Sequence, residues 1–188
     1  MKRLLTVAIL LLFVVTIPVE AQEKYSNTLN LGLGVSGYSA HYKRYNKTIP
    51  VISINYELGV AKNFTLAPFI ALYTFEDQYY WGNKNNPDQY YHYSETVIPI
   101  GVKGTYYFDD LLKANSLWDF YLGASLGFAI VNSRWDDGYY GDKDYYHNNS
   151  NVFLHLHIGA EYHFTKRLGV FLDLSSSVSS IGLAVHGK

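Results

Sequence analysis

The sequence predicts an all-β protein, a closed antiparallel up-and-down transmembrane β-barrel of about eight strands. Three observations predict it. Apolar and polar or small residues alternate with period two in segment after segment. The composition is rich in Tyr, 19 of 188 residues, and in Gly, 15, against a single Met, a mixture that favours β-structure over long amphipathic helices. The connections between segments sort into short turns and longer polar loops, as at the two rims of a membrane barrel.

At the N-terminus, Lys2 and Arg3 precede an apolar stretch over residues 4–17, and Val19-Glu20-Ala21 supplies the spacing a signal peptidase reads. About fourteen apolar residues fall short of the roughly 20 that a spanning helix needs. The reading is an export signal over residues 1–21, cut after Ala21, followed by one barrel domain over residues 22–188. Cleavage removes Lys2, Arg3 and Glu20 and leaves 13 basic and 15 acidic side chains, so no charge excess points to nucleic acid. The absence of cysteine excludes disulfides and thiolate metal sites.

The clearest alternation is Val152, Leu154, Leu156, Ile158, Ala160, Tyr162 and Phe164, set against Phe153, His155, His157, Gly159, Glu161 and His163. Such a segment has one continuous apolar face and one polar or small face. The same register recurs around residues 29–35, 52–58, 98–108, 120–130, 170–174 and 181–185. Residues 66–75 are apolar throughout, which leaves their facing open, and make an eighth strand. Short connections are expected at Ala61-Lys62-Asn63, over residues 109–119 and at Lys166-Arg167. Longer ones are expected over residues 40–48, 76–93 and 132–151, with a tight serine-rich connection over residues 175–180.

The polar face decides between a membrane barrel and a soluble one with an apolar interior. It carries Gly, Ser, Ala and Asn with a few ionisable groups, and it lacks the Lys and Glu density of a water-facing surface. The apolar set is therefore assigned to lipid. The lumen then receives Glu57, Lys103, His155, His157, Glu161, His163, Asp173 and His186, expected as an ion-paired network around Lys103. Tyr79, Tyr80, Trp81, Tyr93, Trp118 and Trp135 fall near strand ends, where aromatic girdles sit at membrane interfaces.

On these residues, and on the closing segments 169–174 and 181–188, the chain resembles the small eight-stranded outer-membrane barrels of the OmpA and OmpX type, grouped more broadly as porin-family outer-membrane proteins. The family's last strand ends in an aromatic residue, whereas Lys188 ends this chain. The resemblance implies an outer-membrane location in a Gram-negative cell, and lipid and the barrel-assembly machinery as partners. It implies a monomer, and no common activity.

Three short patterns bear on catalysis. Gly32-Leu33-Gly34-Val35-Ser36-Gly37 has dinucleotide-binding spacing but opens no helix and no βαβ unit. Gly123-Ala124-Ser125-Leu126-Gly127 has the spacing of a nucleophile elbow, but the strand alternation runs straight through it. His92-Tyr93-Ser94-Glu95 resembles the His-x-Ser of outer-membrane lipid A deacylases, in which the histidine activates the serine; here it is expected where a loop enters a strand. For metals, His155, His157 and His163 share a face, but the last lies too far along the strand to join the first two, so a zinc site would need a ligand from another strand. Asp136, Asp137, Asp142 and Asp144 do not match a calcium-binding loop.

The segments 88–93 and 136–149 are crowded with Tyr, Asn, Asp and Gly, residues that give contact area at low entropy cost and adaptable hydrogen bonding. The expectation is a non-enzymatic outer-membrane barrel without cofactor or metal, structural or binding an extracellular ligand or host surface through its loops. The alternatives are a lipid A-modifying enzyme using His92 and Ser94, and a narrow channel for small or apolar solutes.

Overall fold

The computed structural model describes residues 27–36, 47–48, 50–80, 90–135 and 151–187. The export signal, Trp81, residues 88–89 of the segment 88–93, the loop 136–149 with its four aspartates, and Lys188 lie outside the described residues. The elements are β1 (Thr28–Ser36), β2 (Lys47–Thr48), β3 (Val51–Ala61), β4 (Phe64–Tyr80), β5 (Tyr90–Tyr107), α1 (Asp109–Leu112), β6 (Trp118–Trp135), β7 (Asn151–His163), β8 (Leu168–Ser175) and β9 (Val178–His186).

Setting aside β2, a two-residue strand on the outer end of β4, eight antiparallel strands each pair with the next. The ring shuts where β1 meets β9, with Leu31 opposite Leu183 and Gly32 opposite Gly182. Closure satisfies the backbone of every barrel strand on both sides, which a sheet surrounded by hydrocarbon requires.

The turns are built by local chemistry. At the β3–β4 turn Asn63 takes φ 59°, a left-handed conformation that Asn tolerates. At the β8–β9 turn the Ser175 hydroxyl accepts from the N–H groups of Ser177 and Val178 at 3.1 and 2.8 Å, which accounts for the serine-rich sequence there. The long connection after β5 is shortened by the single turn α1, where Leu111 and Leu112 donate back to the Phe108 carbonyl.

The alternation sorts by parity. Leu31, Leu33, Ile52, Ile54, Leu122, Leu126, Leu154, Leu156, Leu172, Ile181 and Leu183 are all exposed on the outside, while Thr28, Asn30, Glu57, Lys103, Ser125, Glu161 and Asp173 are buried inside. The polarity is inverted relative to a soluble protein. The open question at β4 is settled as well: Leu66, Ile70 and Leu72 point outward, and Ala67, Ala71, Tyr73 and Phe75 point inward. The segment reads as apolar throughout because the lumen wall there is itself apolar, formed by Val51, Ala71, Tyr73, Phe75 and Val97.

On β4, β5 and β6 the outer apolar belt ends in a single row, Thr74, Thr96 and Asn132, paired across the three strands. The next row is Glu76, Ser94 and Arg134. These strands continue past the belt to Tyr80, Tyr90 and Trp135, farther than the alternation predicts, because once the outer face turns polar the period-two signal fades while the inner face stays buried.

At the short-turn rim Phe108, Phe120, Trp118, Tyr162 and Phe164 form a continuous aromatic run, with centroid separations of 6.5, 6.0, 4.9 and 5.3 Å in that order. Trp118 thus faces outward at this rim, as a girdle position requires. Tyr93 and Trp135 do not: Tyr93 is buried, and the two rings meet inside the barrel at 4.8 Å. Ten residues separate Tyr93 from Lys103, an even number, so both side chains face the lumen. Tyr79 and Tyr80 end β4, and their side chains lie outside the described residues.

Gly182 marks the closest approach of the seam. A Cβ there would lie 2.0 Å from the Leu31 carbonyl oxygen and 2.7 Å from the Phe171 ring. The Gly32–Gly182 pair gives the ring its space in the lumen, which is the work done by the first glycine of the dinucleotide-like spacing.

The facing has a direct consequence for substitutions. Leu126 and Leu111 are 60% and 75% exposed, yet Leu126 sits mid-belt and Leu111 at the rim. Leu126→Arg is expected to destabilise the barrel by about 2–4 kcal/mol and Leu111→Arg by about 0–1 kcal/mol, measured by urea unfolding in lipid vesicles.

Candidate functional site

The lumen holds the ionisable side chains, and each is brought there by strand parity. All eight residues expected in it, Glu57, Lys103, His155, His157, Glu161, His163, Asp173 and His186, lie on inward faces, half-buried or buried. All of them but His155 belong to three groups.

The first centres on Glu57. One carboxylate oxygen accepts from Asn30 Nδ2 at 3.0 Å, and the other from Thr65 Oγ1 at 2.8 Å and Tyr107 Oη at 2.7 Å. A buried carboxylate with this many donors is stable without a counter-charge.

The second group centres on Asp173, which forms an ion pair with Lys103. The same oxygen accepts from Tyr121 Oη at 3.1 Å, and the other carboxylate oxygen meets His157 Nδ1 at 2.8 Å. Lys103 also lies over the Tyr121 ring at 4.5 Å, and Tyr121 packs edge-on against Tyr107. The expected network around Lys103 thus has its hub one residue away in the chemistry, on the carboxylate that joins four strands.

The far nitrogen of His157, Nε2, is 2.9 Å from Ser125 Oγ. Serine, histidine and aspartate are therefore in line, and the serine is the one in the elbow-like spacing. Acyl transfer also needs donors aimed at an oxyanion, and around Ser125 the described donors have other partners. Ser125 pairs with Lys103 on one side and His155 on the other in continuous ladders that occupy the neighbouring backbone N–H groups. The nearest cation, Lys103, is committed to Asp173. The relay orients a buried hydroxyl.

The third group, at the short-turn end, joins His163 to Asp119 and His186 to Glu161, each at 2.6 Å. Above these groups lies a cavity of about 350 Å³. His155 lines it, stacked on Phe153 at 4.6 Å, and Ala71, Tyr73, Phe75 and Val97 of the apolar cluster line its upper part.

His92 and Ser94 lie within β5 rather than at a loop entrance, and both face outward. They share a shallow hollow with Glu76 and Arg134, beyond the end of the apolar belt.

Several members of these groups escape a reading of the sequence. Asp119 falls in a segment expected as a turn, and Tyr107 and Tyr121 are easily taken for lipid-facing aromatics. The parity of Lys103 marks Tyr107 as inward, and the alternation of β6 does the same for Asp119, Tyr121 and Ser125.

The fold is a closed antiparallel barrel of eight strands. No family model matches the chain, and no curated protein matches it. Among solved structures it is similar to neisserial surface protein A (NspA), at 15% identity over 85% of this chain and 94% of that one, with a TM-score of 0.46. It is also similar to Ail, the attachment invasion locus protein of Yersinia pestis, solved in complex with the heparin analogue sucrose octasulfate, at 10% identity over 85% and 96% of the two chains and a TM-score of 0.42.

Removing one member of a buried ion pair leaves the other uncompensated. Lys103→Met is expected to lower the unfolding free energy by about 3–5 kcal/mol, and adding Asp173→Asn to recover part of that loss, both read from urea unfolding midpoints. Equal stability of Lys103→Met and the parent chain would remove Asp173 as the hub of the lumen.

Proposed function

We propose that this chain is an integral outer-membrane barrel without catalytic activity, exported through the signal over residues 1–21 and working at the cell surface through its long loops. The observation that carries this reading is the inverted polarity: a closed wall of exposed Leu, Ile and Val around a buried polar interior is stable in a bilayer and insoluble in water. An even strand number, with β1 starting and β9 ending at the short-turn rim, supports long loops on the outside of the cell. Those loops are rich in Tyr, Asn and Asp, which suits recognition of an extracellular ligand or host surface. The packed Glu57 and Asp173 groups block the lumen, so the barrel is closed to solutes, and planar bilayers are expected to show no steady conductance.

The orientation is tested by inserting a peptide tag either after Gly141 or between Lys62 and Asn63. Antibody is expected to label intact cells carrying the first insertion, and to label the second only after the outer membrane is permeabilised. The reverse pattern would overturn the surface-loop reading.

A second reading, lipid A deacylation, is favoured by one observation: His92 and Ser94 face outward on a strand wall, beside Glu76 and Arg134 at the edge of the apolar belt. Mass spectra of lipid A from cells expressing the parent chain and Ser94→Ala are expected to be identical. Loss of an acyl chain with the parent alone would replace the first reading with this one.

A further inference from the structure

From the third group in the lumen we infer a binding site for a divalent transition-metal ion, with zinc the best match, held by Glu161, His163 and His186 at the short-turn end of the barrel. One ligand atom from each of these residues lies within 4.8 Å of the other two. Glu161 Oε1 stands between the imidazoles, 2.6 Å from His186 Nε2 and 3.7 Å from His163 Nδ1, and the two rings are 4.9 Å apart.

The nitrogens that face away from this centre are already held. His163 Nε2 is 2.6 Å from Asp119 Oδ2, and His186 Nδ1 is 2.9 Å from Thr28 Oγ1. This is the arrangement that metal-binding histidines adopt: the remote ring nitrogen is hydrogen-bonded, which fixes the tautomer and aims the near nitrogen at the ion. With the His163 proton on Nε2, toward Asp119, the Nδ1 lone pair points toward a carboxylate oxygen, an arrangement that a cation between them stabilises. A neutral His186 with its proton on Nε2 donates to Glu161; on metal binding the proton moves to Nδ1, where Thr28 Oγ1 accepts it, and the freed Nε2 lone pair takes up the metal.

The strand between the ligands is adapted to the contact. Glu161 and His163 are on β7 and His186 is on β9, with β8 intervening, where His163 pairs with Gly169 and Gly169 with Ala184. A Cβ on Gly169 would lie 2.2 Å from Glu161 Oε1. The missing side chain is the gap through which β7 reaches β9. Glu161 and Asp119 are both buried, and with neutral imidazoles the pair carries a charge of about −2, which a divalent cation balances. Two imidazoles and a carboxylate, with water in the fourth position, suit zinc in preference to calcium or magnesium, which take oxygen ligands.

The test is competition for Zn²⁺ between the folded barrel, in detergent micelles at neutral pH, and a chromophoric chelator. One ion per chain is expected. His163→Gln and His186→Gln are each expected to weaken binding at least about tenfold, and Asp119→Asn about 10–100-fold through loss of the outer hydrogen bond. His155→Gln, on the same strand and outside the group, is expected to leave the affinity unchanged. Thr28→Val, which keeps the side-chain shape, provides a weakened variant should the histidine variants fail to give the β-barrel circular dichroism spectrum. No stoichiometric binding by the parent chain, or equal affinity across the folded variants, would overturn the site.

Discussion

Closure of the sheet is the constraint on which the rest of this molecule depends. A wall that turns Leu, Ile and Val toward hydrocarbon has no water to satisfy its backbone, so each strand must be paired on both sides, and the β1–β9 seam is as necessary as any hairpin. That seam allows little side-chain volume, which is why glycines face each other at its middle and why Phe171 can lie over them. Closing eight strands also fixes a narrow interior that side chains can fill, and the polar residues displaced from the outer face must satisfy one another there.

The lumen is divided along its length by that requirement. Toward the short turns, carboxylates are matched by hydroxyls, imidazoles and one lysine, with Glu57 and Asp173 each serving several strands at once. Toward the long loops, the wall is mostly apolar, with the buried Glu95 accepting from the Tyr93 hydroxyl, and borders a cavity. The ionisable residues thus act as cross-ties over strands distant in sequence, and the His163–Glu161–His186 group ties β7 to β9 across a glycine. The same density of contacts puts a serine, histidine and aspartate in line, with Lys103 beside them held by Asp173.

Much of this was legible in the sequence because a membrane barrel obeys a two-residue period on both faces. The continuous alternation of β7 alone gives the facing of Glu161 and of three histidines. Where the outer face becomes polar, at Thr74, Thr96 and Asn132, the period is lost, and the outer ends of β4, β5 and β6 read as loop. Where both faces are apolar, on β4, the period is present but silent. Tyr93 and Trp135 face inward although the sequence suggests the girdle, because aromatic character near a strand end fits either side of the wall and only counting from Lys103 separates the two. The pairing of His163 with Asp119 and of His186 with Glu161 depends on strand register, which no local pattern specifies.

The most direct test of the inverted barrel is heat-modifiability of the protein from fractionated cells, run on SDS gels with and without boiling. An intact closed barrel stays compact in detergent, so the account predicts an outer-membrane protein whose unboiled band migrates apart from the boiled one. A single band, unchanged by boiling, from a soluble periplasmic fraction would contradict it, and would mean that the exposed apolar wall is not the lipid-facing surface of a barrel.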